Sequence, residues 1–550
     1  MRKKSTSKGL TVNAIAGTHV VLLGFDLAAA RRRGCLGFAI QREDHEEDER
    51  YWMTGTKTFQ STSDLGLGGQ ASSRQHPFQS FQWSDYSAKP DHKYTYKVLP
   101  LYGTPQQLKE GEPLSVDVTT EVEFGDPHSV FFNRGAVASQ EYARRFLNKT
   151  PEEAGPEAFK WLSRGLMEAF TTFIRRAKDD RFGIYGAIYE FQWPDTLAVI
   201  KEAHNNGADV HVLYDGTSGS SGPKEKNETA IEDAQIKGLC IPRTTGKMMH
   251  NKFFVLTKND KPIAVWTGST NLTENGIFGH SNVGHLFEDA DTAVAYLEYW
   301  NELKSNPVAK TEKAWMADNN SAPPDPWKED AGHVFSPRTG LDVLQWYADI
   351  AASAKKGLFM TFAFGMHKFF QDVYEKEDEV IKFALMEKEG NGAGLTQGKI
   401  DITRIRKLPN VVVAVAKNIT LNSFDRWLQE RPGLPEAQVR YIHDKFMLVD
   451  PLGDKPVVVT GSANFSKAST DTNNENMLVI RNDKRVADIY LGEFMRCYSH
   501  YAFREAVAIA KENGEADWKP NYLVEDDSWQ KDYFTDGSSR FLRRQFFAGS

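Results

Sequence analysis

The chain has 550 residues, a formal net charge of −7, and 40% hydrophobic, 12% aromatic and 26% charged residues. The length exceeds what a single hydrophobic core supports and implies two to four domains in a globular protein. The mildly acidic balance excludes a global positive field of the kind that draws in nucleic acid, while leaving room for a local basic groove.

The amino terminus Met1-Arg2-Lys3-Lys4-Ser5 is basic, and the apolar stretch Val20 to Leu23 is soon interrupted by Asp26 and Arg31-Arg32-Arg33. It is too short for a signal or a membrane span, and a cytoplasmic location is expected. From residue 10 to 125, short β-branched and aromatic runs alternate with turn clusters. Candidate strands are Val20–Leu23, Gly37–Ile40, Tyr94–Val98 and Ser115–Thr119, with turn chemistry at Gly66–Gly69 and Ser87–Pro90. The pattern predicts an antiparallel β-sandwich of the immunoglobulin/fibronectin-like kind, read first as a structural module. Arg31–Arg33 reads as a solvated turn.

After Asp126 the composition changes to an α/β pattern: an amphipathic helix over Glu157–Ala177, a buried strand over Phe182–Phe191, a helix over Asp195–Asn206 and a strand over Val210–Tyr214. The loop Gly216–Pro223 lacks the lysine and helix register of a nucleotide loop and reads as a mobile segment at the mouth of a site. Ser305–Pro337, rich in Asn, Asp, Pro and Ala, reads as a surface linker. The α/β order then returns: helix Leu341–Ala354, strand Gly357–Gly365, a helix around Phe369–Glu387 and strand Val411–Val415. The expected organisation is a β-sandwich (10–125), a first α/β half (126–304), a linker (305–337), a second α/β half (338–511) and a C-terminal tail (512–550) that either packs back or stays loose.

Cys35, Cys240 and Cys497 are odd in number, far apart and without ligand-like neighbours at metal spacing. They read as small buried hydrophobes, and no metal or cofactor is expected. Aromatics Phe191, Trp193, Phe362 and Phe364 stand at strand ends and are expected mostly in the core. His280, His285 and His367 lie near the motif segments, unpaired in the sequence, and are expected at the surface or behind the site.

One pattern occurs twice without a gap. His250, Lys252, Gly268, Ser269 and Asn271 correspond to His443, Lys445, Gly461, Ser462 and Asn464 at a constant offset of 193 residues (443 − 250, 464 − 271). His and Lys, two apart at the start of an apolar run, project from one face of a strand. A hairpin would set Ser and Asn beside them. Two such clusters facing one another suit a phosphodiester: one imidazole attacks phosphorus while the other protonates the leaving oxygen and later activates water or an alcohol. Lys252, Lys445, Asn271 and Asn464 would hold the non-bridging oxygens.

These residues resemble the phospholipase D superfamily, with its His-x-Lys-x4-Asp signature and following Gly-Ser-x-Asn. The resemblance spans about Asp126 to Lys511. It implies an α/β fold of two tandem phospholipase D-like halves sharing one interface site, and a covalent phosphohistidine. Asp450 fills the aspartate column of the second copy, whereas the first has Thr257. Glu475, in Asn473-Asn474-Glu475-Asn476, resembles the family's nucleases, and Asn282 fills the matching column. If Glu475 serves His250, then His250 is the nucleophile and His443 the acid; if Glu475 serves His443, the roles reverse. The expected function is a phosphodiesterase hydrolysing or transferring a phospholipid headgroup, with a nuclease and a non-catalytic phosphate-binding protein as the alternatives. A phosphodiester is the expected partner, with peripheral membrane contact and no obligatory protein partner, since duplication completes the site within one chain.

Overall fold

The computed structural model describes residues 1–63, 69–217, 222–320, 332–390, 394–416, 442–512 and 522–549. Residues 66–68 of the expected turn Gly66–Gly69, residues 218–221 of the Gly/Ser loop and residues 321–331 of the expected linker lie outside them.

The N-terminal region is antiparallel β. One sheet runs Arg2–Ser7, Leu10–Ala16, Val21–Leu27, Gln82–Asp85; the other contains Cys35–Asp44 and Lys93–Thr104, with Leu114–Thr119 on the latter. Alternate residues of both sheets, among them Val12, Leu23, Phe38, Tyr96 and Val116, enclose one apolar core, as period-2 patterning requires. The chain's end completes that core. Trp529 stacks on Phe81 (ring centroids 5.3 Å) and donates its indole N–H to Cys35 O at 2.8 Å, and helix Ser539–Ala548 packs on strand Val21–Leu27. The C-terminal segment therefore packs back.

Each α/β half is built on a mixed sheet in the same order. In the first, His128–Phe132, Val283–Phe287, Lys261–Gly268, Lys252–Lys258, Phe182–Ile188, Asp209–Asp215 and Cys240–Arg243 lie side by side. In the second, the order is Asn473–Arg481, Val457–Gly461, Phe446–Val449, Gly357–Phe362, Ile381–Met386, Val411–Val415, with Gly332–Ser336 also paired to Asn473–Arg481. The alternation of each motif strand divides it between two cores. Phe253 and Val255, with Phe446 and Leu448, enter the core shared by the halves, while Phe254 and Leu256, or Met447 and Val449, face their own half's helices. The 29-residue helix Lys484–Glu512 runs along this shared core, with Tyr490 packed on Phe132 of one half and Phe446 of the other.

Three expectations need correction. The helix over Glu157–Ala177 is two, Pro156–Ser163 and Leu166–Ile174, because Arg164 (φ 48°) and Gly165 (φ 89°) adopt left-handed conformations that end the first. The helix around Phe369–Glu387 stops at Tyr374, and Ile381–Met386 is a strand buried between two parallel neighbours; a short apolar run of that kind has no period that separates strand from helix. The expected linker contains helix Ala309–Asn319, and Gly332–Ser336 is a strand of the second sheet. Among the described residues, no helix is long and apolar enough to cross a membrane.

Candidate active site

The two halves exchange backbone at the site. Met248–Met249, just before the first motif, pairs in parallel with Asn473–Asn474 of the second half, and Ser281 of the first half bridges to Ile442. His250 N–H donates to Asn474 O at 3.0 Å and His443 N–H to Ser281 O at 3.2 Å, two bonds related by the same 193-residue offset. A carboxylate ends a neighbouring strand in each half: Asp215 accepts Met249 N–H at 2.7 Å and Glu387 accepts Ile442 N–H at 2.9 Å.

Gly268 and Gly461 let the adjoining strands close up. Both have positive φ (135° and 156°), and a Cβ would lie 2.1 Å from Val283 O or 2.2 Å from Asn476 O. The serines that follow are therefore set against the next strand. Ser462 Oγ donates to Glu475 Oε2 at 2.6 Å and Ser269 Oγ to Asn282 Oδ1 at 2.8 Å.

Glu475 and Asn282 then cross the interface. Both Glu475 oxygens lie on His250 Nδ1, at 3.0 and 2.9 Å, and Asn282 Oδ1 lies 2.8 Å from His443 Nδ1. Asn282 Nδ2 donates to Gly276 O at 2.8 Å, which orients the amide with its oxygen towards His443. Each Nδ1 thus carries the proton, and each Nε2 presents its lone pair. Of the two partners left open by the sequence, Glu475 takes His250.

The lysines and Asn271 sit in the same buried cluster, and Asn464 is buried. Lys252 Nζ donates to His250 O at 2.8 Å and lies 5.2 Å from the Tyr189 ring centroid, and Lys445 Nζ donates to His443 O. Asn271 Nδ2 donates to Glu190, while Asn271 Oδ1 and Asn464 Oδ1 are buried without a protein hydrogen bond. Burial lowers the His250 pKa to about 4; Glu475 opposes this and Lys252 and Lys445 add to it. His443 is pushed well below 6.5 by burial and then by Lys445 and Lys252. Burial lowers Lys252 to about 8 against the pull of Glu475, Glu190 and Asp215, and burial with Lys252 beside it holds Lys445 well below its ordinary value. Each histidine feels the ammonium of the other half, as a shared site requires.

Asp450 and Thr257 lie elsewhere. Asp450 accepts the backbone N–H groups of Lys355, Lys356 and Gly357 at 2.7–3.1 Å, securing the turn into strand Gly357–Phe362. Thr257 stands opposite Gly183, five residues beyond Lys252 and so roughly 17 Å along the strand. The difference between them is remote from the imidazoles.

The sequence reading missed two neighbours of the site, Tyr189 and Glu190, and left His280 open between the surface and a place behind the site. Tyr189 packs its ring 5.1 Å from His250, Glu190 bonds Asn271, and His280 sits 6.1 Å from the His443 ring with Nε2 lacking a protein hydrogen bond. Of the histidines expected at the surface or behind the site, His280 and His285 are buried, His280 behind His443 and His285 bonded to His128 and Tyr490 in the core, and His367 caps helix Lys368–Tyr374. Phe191 and Phe362 are core residues, and Trp193 packs on Phe159 and Phe278. Among the described residues, no cluster of three or more His, Cys, Asp or Glu could hold a metal.

The buried imidazoles make stability pH-dependent. Burial holds His128, His250 and His280 at about 4 and His500 at about 3, with His285 and His443 well below 6.5. Between about pH 4 and 6.5 the unfolded chain binds protons on these six that the native protein excludes, so stability falls on acidification. Burial also raises Asp444 and Glu312 to about 7 and Asp488 to about 6, and these three carboxyls act in the opposite sense. Burial also lowers His19, His76 and His367 and raises Asp215 and Glu302, so nine imidazoles against five carboxyls predict a lower melting temperature at pH 5 than at pH 7.5 by differential scanning fluorimetry; an equal or higher value would contradict it.

A family model described as "Cardiolipin synthase, PLD-like domain" matches residues 171–304 and 407–498, one copy of the motif in each segment. Three solved structures are similar. The phosphatidylserine synthase of Haemophilus influenzae is 13% identical over 64% of this chain and 93% of its own, with a TM-score of 0.43. The phospholipase D family member Nuc of Salmonella typhimurium is 21% identical over 31% and 94%, with a TM-score of 0.23. The yeast tyrosyl-DNA phosphodiesterase is 10% identical over 58% and 88%, with a TM-score of 0.33. No curated protein matches the chain. Both matched segments carry His-x-Lys and Gly-Ser-x-Asn, so the chain holds a phospholipase D-like domain in duplicate.

Proposed function

We propose that the protein cleaves or transfers a phosphodiester, a phospholipid headgroup ester in first place, through a phosphohistidine on His250. The observation that carries this reading is the unequal pair of Nδ1 partners: a carboxylate on His250 and a carboxamide on His443. His250 Nε2 attacks phosphorus and becomes cationic as the N–P bond forms, and Glu475 stabilises that charge. His443, protonated at Nε2 beside the bound anion, donates its proton to the leaving oxygen as the P–O bond breaks. Neutral His443 then takes a proton from water or an alcohol, whose oxygen displaces His250 and restores the starting state. The lysines offset charge on the non-bridging oxygens, and the depressed ammoniums and imidazoles regain basicity beside an anion.

Thr257 gave the non-catalytic alternative its motive, and its distance from the imidazoles supports the catalytic reading over that alternative. The test presents the full chain with phosphatidylcholine or phosphatidylethanolamine vesicles, with and without glycerol, and separately with single-stranded DNA. Release of choline or ethanolamine, lost in His443→Ala, supports the reading; cleavage of DNA with intact lipid replaces it by the nuclease; turnover of neither overturns it.

Glu475→Gln tests the electrostatic half of the mechanism. A carboxamide keeps a hydrogen bond to Nδ1 but loses the charge that offsets the imidazolium, so kcat is expected to fall about 10²-fold or more with a smaller change in KM. Unchanged kcat would contradict the assignment of Glu475.

A further inference from the structure

The helix between the two halves reaches the strand that carries Glu475. Glu312, on Ala309–Asn319, is fully enclosed and pairs through Oε2 with Arg243 Nη2 at 2.9 Å, at the end of strand Cys240–Arg243. Its other oxygen accepts Asn474 Nδ2 at 2.6 Å, and Arg243 Nε donates to Asn474 Oδ1 at 3.1 Å. One charged pair therefore grips both ends of the Asn474 carboxamide. Asn474 is the residue whose carbonyl accepts His250 N–H, and it directly precedes Glu475. Histidine and orienting carboxylate hang from the same clamped point.

Among the described residues, the matching point of the other half has no ion pair on its side chain. The counterpart of Asn474 is Ser281, whose carbonyl accepts His443 N–H and whose hydroxyl neighbours are Cys497 and Tyr501, both uncharged partners. The two sides are braced differently: on the His443 side Arg496 bonds Asn133 O, and Asn133 Oδ1 accepts Asn282 N–H, whereas on the side with the carboxylate the ion pair holds the Asn474 side chain directly. We propose that Glu312, with Arg243, is a positioning residue for His250, acting through Asn474 to hold the imidazole in line with Glu475. This rests on the reading of His250 as nucleophile. It makes the connecting helix part of the active-site machinery, because a shift of about 1 Å in a reacting group can cost on the order of a hundredfold in rate. Charged groups facing Glu312 are Arg243 and Glu302; those facing His250 are Glu475, Lys252 and Lys445.

The test uses Asn474→Ser in the full chain, which cuts the link and leaves the Arg243–Glu312 pair intact. Glu312→Asp, which keeps the charge and shortens the reach, serves as the second variant and decides if the first does not fold. With bis(p-nitrophenyl) phosphate as probe, kcat is expected to fall about tenfold or more with KM within about twofold. The His250 titration, followed by NMR of ¹³C-labelled imidazole and assigned with His250→Gln, is expected to shift. A folded variant with wild-type kcat and an unmoved His250 titration overturns the proposal. Absence of turnover in the wild type instead sinks the functional reading, and the titration alone then decides whether Glu312 positions His250.

Discussion

His443→Asn, given bis(p-nitrophenyl) phosphate, is expected to release about one equivalent of p-nitrophenol per site and then stall with the phosphoryl group on His250. A good leaving group departs without a proton, so the first step survives loss of the acid. The second step needs a base for water, and His443 is the imidazole placed to supply it. Steady-state turnover should fall about 10⁴-fold. His250→Asn should show no burst, and the double variant should be no worse than His250→Asn alone, since the two act as one unit. Mass spectrometry of the quenched peptides reads the result. Phosphate on His443, or a burst from His250→Asn, would reverse the roles assigned from the Glu475 contact.

Glu493→Leu should give the largest loss of stability. Glu493 lies on the long helix Lys484–Glu512 and is buried between two guanidiniums, Arg164 Nη2 and Arg496 Nε, each at 2.7 Å. Burial alone would raise its pKa, but the two cations outweigh it and hold the carboxyl at about 2. The arginines in turn donate to the carbonyls of Phe132 and Asn133 at 2.8 Å, tying the helix to the first half. Removing the carboxylate strands two cations in a buried site, a cost of about 3–5 kcal/mol. Urea unfolding should show a lower midpoint. Replacing all three residues by apolar ones should cost less than Glu493→Leu, because the stranded charge goes with them; equal losses would mean that the triad contributes by packing.

Much of the site was legible before any coordinates. Repetition of His-x-Lys and Gly-Ser-x-Asn at one offset marked His250, Lys252, Ser269, Asn271 and their counterparts as one candidate constellation, and the His–Lys pairs and both serines meet where the halves join. The glycines of the motif have a backbone reason in the 2.1–2.2 Å approach of a neighbouring carbonyl to an added Cβ. The partners of the imidazoles were not legible. Glu475 and Asn282 were found by column, but which histidine each serves depends on strands of different halves meeting, with 225 residues between His250 and Glu475. His280, Tyr189 and Glu190 carry no motif and are brought in by the same closure.

The fold divides in the same way. Period-2 alternation and the returning α/β order are local properties, so the N-terminal β region and the two tandem halves follow from the sequence. Ile381–Met386 was misread because a fully buried apolar run has no exposed face to set a period. The supposed linker was misread because composition does not reveal that Glu312 finds Arg243 and Asn474. Residue chemistry, spacing and duplication were determined by the chain itself. Which carboxylate bonds which imidazole, and how far the site's pKa values move, were decided by tertiary structure alone, because burial and charge pairing arise only when distant segments exclude water together.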